Sequence, residues 1–176
     1  MPTILRSMLV AALAVPLVLA SLTARAADDV VSTAGKAQFT TLVAAIEAAG
    51  LVETLKGKGP FTVFAPSNAA FDKLPAGTLD MLLKPENKKT LAQILTYHVL
   101  PGEYPAERLL KARAPVYTVK TAGGVPVTFD KRSGLTIDGA KIEKTDIPAS
   151  NGTIHVIDTV ILPKSVKKAL AAGKSH

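Results

Sequence analysis

Three histidines, His98, His155 and His176, are the side chains of this 176-residue chain best suited to moving a proton or holding a metal, and Asp158 stands three positions beyond His155. A histidine and a carboxylate can share an ion or a proton when they face one another. Strand positions three apart point to opposite faces, so His155 and Asp158 cannot chelate one ion without a bulge. His98 follows the helical face Leu91, Ile94, Leu95 and is flanked by Tyr97 and Val99. That is the setting of a core histidine held by one hydrogen bond to a carbonyl or carboxylate. The remaining candidates are hydroxyls such as Ser67. The absence of cysteine removes a thiol nucleophile, a thiolate metal site, a disulfide framework and a site for a bacterial lipoprotein lipid. No phosphate-cradling glycine loop, nucleophile elbow, His-Glu-x-x-His or acidic calcium loop is present. The residues therefore predict no catalytic residue, no cofactor and no metal.

Charge narrows the partners. Arg6 precedes a charge-free stretch containing the apolar block Met8 to Ala20, and Ala24-Arg25-Ala26 follows, the order of a secretory signal peptide cleaved after Ala26. The competing reading is an uncleaved membrane anchor, because Ser7 to Ala24 just reaches spanning length, although Pro16, Ser21 and Thr23 weaken it. Cleavage leaves 150 residues and removes Arg6 and Arg25, so the formal charge falls from +7 to +5. Basic residues gather at Arg108, Lys111 and Arg113 and at Lys164, Lys167, Lys168 and Lys174. Neither group interleaves aromatics that could stack on bases, and the chain has only five Phe and three Tyr. Solvated faces and a basic tail are expected, with no nucleic-acid partner and no stable membrane insertion after cleavage. The expected product is a secreted or periplasmic monomer.

The elements that would position these residues divide along the chain. A domain of 150 residues buries roughly 70% of its unfolded surface and needs neither disulfide nor metal to fold. The spacing of Phe39, Leu42, Val43 and Ile46 predicts a helix over Gln38 to Ala49, with Gly50 as its stop and a further turn from Leu51 to Leu55. Phe61 to Phe64 reads as a short buried strand. Ser67 can cap a helix through Phe71 and Leu74, and helices follow at Thr78 to Leu83 and Asn87 to Tyr97. After Pro101, glycine turns separate candidate strands at Val116 to Lys120, Val125 to Asp130, Leu135 to Ile137, Ala140 to Glu143 and Ile154 to Leu162. Helices first and strands second indicate α+β, with the early strand joining the later sheet. Asn151-Gly152-Thr153 reads as a tight turn and, in a eukaryotic host, also as a glycosylation sequon. The expected organisation is a leader at 1–26, a flexible segment at 27–37, a domain at 38–170 and a basic tail at 171–176.

Three segments in order resemble the fasciclin-domain family: Thr62-Val63-Phe64-Ala65-Pro66-Ser67-Asn68-Ala69-Ala70-Phe71, Tyr97-His98-Val99-Leu100-Pro101-Gly102, and Asn151-Gly152-Thr153-Ile154-His155-Val156-Ile157-Asp158. The similarity runs from about Phe39 to Leu170. It implies a wedge-shaped β-sandwich of about seven strands with a cluster of short helices, and extracellular adhesion rather than catalysis. In animal members an Asp-Ile pair before the third segment is implicated in integrin binding; here Asp146-Ile147 stands in that place, followed by Pro148. A single bare domain suggests a bacterial source, in which integrin is not the native partner.

The resulting expectation is an adhesion or binding module whose partner is a cell-surface or extracellular-matrix protein or glycan. Asp146 and Ile147 are its candidate contact residues, and Tyr97 and His98 form a second patch. The alternative is a carrier of a small apolar ligand, lipid or pigment, suggested by the supply of aliphatic side chains between helices and sheet and by family members that resemble such binders.

Overall fold

The structure, a computed structural model, describes residues 28–172. The leader with its cleavage point at Ala26, and His176, lie outside the described residues. In chain order the elements are α1 (Val30–Lys36), α2 (Thr40–Ala49), α3 (Val52–Lys56), β1 (Phe61–Pro66), α4 (Asn68–Asp72), α5 (Thr78–Leu83), a 3-10 turn at Pro85–Asn87, α6 (Lys88–Tyr97), β2 (Val99–Pro101), α7 (Ala106–Lys111), β3 (Val116–Lys120), β4 (Pro126–Asp130), β5 (Thr136–Ile137), β6 (Ala140–Ala149), β7 (Gly152–Ile157) and α8 (Lys164–Ala172).

Residues 27–37, expected to be a flexible lead-in, instead contain α1. Asp29 starts it by accepting the N–H groups of Val31 and Ser32, both at 2.9 Å, and Val30, Val31 and Ala34 are buried. The helix is held at a distance as well: the Asn151 side chain accepts the Val30 N–H at 2.9 Å and donates to the carbonyls of Leu55 and Gly57 at 2.7 and 2.9 Å. Ser67 caps α4 as expected, its hydroxyl accepting the Ala70 N–H at 3.3 Å.

The strands form one open order, β2-β1-β7-β6-β5-β4-β3. The β1–β7 pairing is parallel and the others are antiparallel, so the early strand closes the fold over some ninety residues of chain. Both strands of that parallel pair are buried on both faces, as a central parallel pair requires. Val63, Ala65 and Ile154 face the core built with α1, α2 and α6, while Phe64 and Ile157 face a second core with Val127, Phe129 and Ile137. In a flat sheet β1 and β4, four strand positions apart, would be separated by about 19 Å. Yet the Phe64 and Phe129 rings lie 5.7 Å apart. The sheet is therefore folded over on itself, sandwich-like, without closing.

Strand β6 makes that fold possible. It is longer than Ala140 to Glu143 and its register with β7 shifts between Ile142 and Lys144 and again between Lys144 and Ile147. Bulges of this kind bend a strand and break the period of two, which hid its second half in the sequence. Strand β7 conversely ends at Ile157: Val160, Ile161 and Leu162 are buried but lie beyond the ladder. Gly152 is required for a reason other than its turn. A Cβ there would stand 1.9 Å from the Phe61 carbonyl oxygen, so only glycine lets β7 approach β1.

Candidate functional site

The two described histidines are internal. His98, at the end of α6, is 2% exposed; its Nδ1 donates to the Ile94 carbonyl at 2.8 Å, and its Nε2 accepts the Ile161 N–H at 3.2 Å. Burial pushes its pKa down to about 4, against the opposing pull of the Ile94 carbonyl and the Asp138 charge. His155 sits opposite Phe64 in the parallel ladder and stacks on it at 5.3 Å. Its Nε2 donates to the Tyr104 carbonyl at 2.8 Å, and its Nδ1 accepts the Asp146 N–H at 3.3 Å. Burial lowers its pKa too. Each ring is thus neutral and spends both nitrogens on backbone groups, a bracing arrangement that leaves no free lone pair for a metal or a substrate. Asp158 is engaged elsewhere, accepting the Lys141 N–H at 2.8 Å and the Lys73 ammonium at 3.2 Å. Among the described residues no cluster of three or more His, Asp or Glu is placed to hold a metal ion.

Tyr97 is also inside. It is 5% exposed, and its hydroxyl donates to the Asp138 carboxylate, with the Pro126 carbonyl oxygen 3.2 Å away. Burial and the Asp138 carboxylate push the phenol above its ordinary range. Tyr97 and His98 therefore brace the interior, and neither presents a surface patch.

The Asp146-Ile147 pair is split by the bulge. Asp146 adopts a φ of 57°, in the left-handed region that Asp tolerates better than most residues, and its side chain is exposed. Its Oδ1 accepts the Ala106 N–H at 2.9 Å, docking the bulge on the start of α7. Ile147 turns the other way, pairs with Ile154 and packs against the helical core. Two residues to either side of Ala106 in the chain stand Tyr104 and Arg108, the guanidinium 4.6 Å from the Tyr104 ring centroid and its Nη1 donating to the Glu103 carbonyl at 2.9 Å. His155 joins the two loops by holding Tyr104 on one ring nitrogen and Asp146 on the other. The sequence reading missed Tyr104 and Arg108; the only signal was the basic group at 108–113, and nothing local tied it to Asp146.

A second feature is a cavity of about 830 Å³ between α8 and the face of β3 to β5 that turns away from Phe129. Tyr97, Val125 and Leu162 are among its lining residues. Sequence spacing gave no sign of it, because its walls come from segments tens of residues apart.

The family model described as Fasciclin domain matches residues 37–163. The chain belongs to the Fasciclin family. Within that family it is 50% identical over 131 residues to protein sll1483 of Synechocystis, covering 74% of this chain and 70% of that protein. It is 38% identical to the cell surface glycolipoprotein MPB83 of Mycobacterium bovis, over 78% of this chain and 62% of that protein. Among solved structures the FAS1 domain pair of the insect cell adhesion molecule Fasciclin I matches with a TM-score of 0.57 at 19% identity, covering 76% of this chain and 47% of that one. That likeness is one of fold, and it accords with the folded seven-strand Fasciclin sheet and its helices. Among the described residues of this Fasciclin domain, no helix is long and apolar enough to cross a membrane.

Proposed function

We propose that this Fasciclin domain is an exported, monomeric adhesion or binding module, secreted or periplasmic, that works through surface contacts with a cell-surface or matrix protein or glycan and not as an enzyme. The observation that carries this reading is the exposed Asp146 carboxylate, set on a bulge that His155 and Ala106 hold from two sides. A carboxylate whose oxygen and backbone N–H are both held by hydrogen bonds is preorganised for a partner and loses less freedom on binding. The family supports the same reading, since Fasciclin I is a cell adhesion molecule and MPB83 a cell-surface glycolipoprotein. Retention of the tagged chain on cell-surface and matrix extracts tests it: wild type is retained and Asp146→Ala is not. Equal retention of both would remove Asp146 from the contact.

A second reading, a carrier of a small apolar ligand, is favoured by the cavity beside α8. Native mass spectrometry of protein purified from its own host tests it, because a carrier arrives with bound mass.

A further inference from the structure

The cavity beside α8 has a size typical of small-molecule sites, which run from about 300 to 1,000 Å³. Its sheet wall is the face of β3 to β5 opposite the second core, and its helix wall is the stretch from Leu162 to Lys167. Val125 and Pro126 on one side and Leu162 and Pro163 on the other supply apolar surface, and Thr118, Thr128 and Thr136 set hydroxyls along the sheet wall. Val125 is 44% exposed, an uncovered aliphatic side chain at the rim.

The charged groups of the lining are unequal. Asp138 already accepts the Tyr97 hydroxyl and, at 2.9 Å, the Thr128 N–H. Asp130 is paired with Arg132, whose Nη2 approaches it to 2.6 Å. Asp130 is thus neutralised by Arg132, whereas Asp138 keeps its charge and spends its oxygens on the Tyr97 hydroxyl and the Thr128 N–H. Lys164 and Lys167, one helical turn apart on α8 and so neighbours on its surface, have no ion-pair partner among the described residues. Apolar surface beside two ammonium groups without a carboxylate partner complements an apolar body with one negative head; a neutral ligand would leave both ammonium groups unused, and a cationic head would meet their repulsion with only Asp138, already accepting from Tyr97 and Thr128, to receive it.

We propose that this cavity binds a long-chain carboxylate, one per domain, with its acyl chain between the Val125–Pro126 and Leu162–Pro163 walls and its head group on Lys164 and Lys167. The proposal rests on the carrier reading and supplies its occupant.

The test titrates palmitate, hexadecanol and hexadecyltrimethylammonium, each below its aggregation concentration, into the full chain by calorimetry. Wild type, a Lys164→Gln/Lys167→Gln variant and Val125→Trp are compared, all three changes lying at exposed positions, with circular dichroism to confirm folding. Palmitate is expected to bind one to one and at least about tenfold more tightly than hexadecanol, with the cation weakest. The double lysine variant should erase the palmitate advantage and leave hexadecanol unchanged, and Val125→Trp should weaken both. Equal affinity for palmitate and hexadecanol, or an advantage that survives loss of both lysines, overturns the head-group assignment. If no probe binds while host-purified protein carries bound mass, this occupant is wrong and the carrier reading stands. If no probe binds and no mass is carried, both fail. Flotation with phosphatidylglycerol vesicles that depends on the two lysines, without palmitate binding, would assign them to a membrane surface and also overturn the proposal.

Discussion

The backbone N–H of Asp146 donates to Nδ1 of His155 at 3.3 Å, joining an exposed bulge to a fully buried ring. The other ring nitrogen of His155 holds the Tyr104 carbonyl, so one neutral side chain sets the relative position of the two loops that flank Asp146.

Neutral buried histidines give a definite pH dependence. Burial lowers the pKa of both His98 and His155 below the ordinary value of 6.5, His98 to about 4. As pH falls the unfolded chain therefore takes up these protons before the folded one does. The contribution of each is complete above about pH 6.5 and is lost on acidification, for His98 as pH falls toward about 4. For His98 alone this amounts to about 3 kcal/mol between pH 7 and 4. Asp130, held down to about 2 by its hydrogen bonds from Arg132, titrates only below that window. Urea denaturation at stepped pH should show this decline, and His98→Gln should flatten it while lowering stability at pH 7.

Asn151 ties three segments together with one amide. Asn151→Ala removes an acceptor for Val30 and both donors to Leu55 and Gly57, and should cost about 2–4 kcal/mol at roughly 1 kcal/mol per bond plus the groups left unpaired. Hydrogen exchange should show α1 losing protection first. A destabilisation spread evenly over the sheet would contradict the tether.

Two glycines separate close approach from backbone strain. Gly152→Ala places a methyl on the Phe61 carbonyl and should prevent the β1–β7 pairing, costing more than about 4 kcal/mol or abolishing folding. Gly139 has a φ of 89° but open space around it, so Gly139→Ala should cost only about 1–2 kcal/mol. Thermal denaturation of the two variants distinguishes them.

Much of this fold was legible where a local rule decides. Val116 to Lys120 and Thr78 to Leu83 form their predicted elements to the residue, because glycine turns or clear apolar spacing bound them. The setting of His98 on the Leu91, Ile94, Leu95 face foretold a core histidine. The long-range strand pairing of Phe61 to Phe64 was expected from its isolation, though its partner register was not. What stayed hidden depends on distant partners. Helix α1 has only seven residues and is stabilised by Asn151, 121 positions from Val30. The outward turn of Asp146 and inward turn of Ile147 come from a bulge that no period reveals, and the cavity beside α8 joins strands to a helix far along the chain.

That split separates contact from stability. Ile147→Ala removes half-buried packing and should cost about 1–3 kcal/mol, with partner binding retained once the protein is folded. Asp146→Ala loses one exposed hydrogen bond to Ala106 and puts alanine in the left-handed region, together about 1–2 kcal/mol, and unlike Ile147→Ala it also loses partner binding. Calorimetric melting beside partner retention of both variants checks the separation: both melt earlier, and only Asp146→Ala loses retention.

The most direct measurement is the affinity of Asp146→Asn for whichever surface or matrix partner wild type retains. Asn tolerates the left-handed backbone at 146 and keeps an oxygen for the Ala106 N–H, so only the charge is removed. The expected result is binding at least about tenfold weaker with an unchanged melting temperature, and binding equal to wild type would contradict a contact through the Asp146 carboxylate.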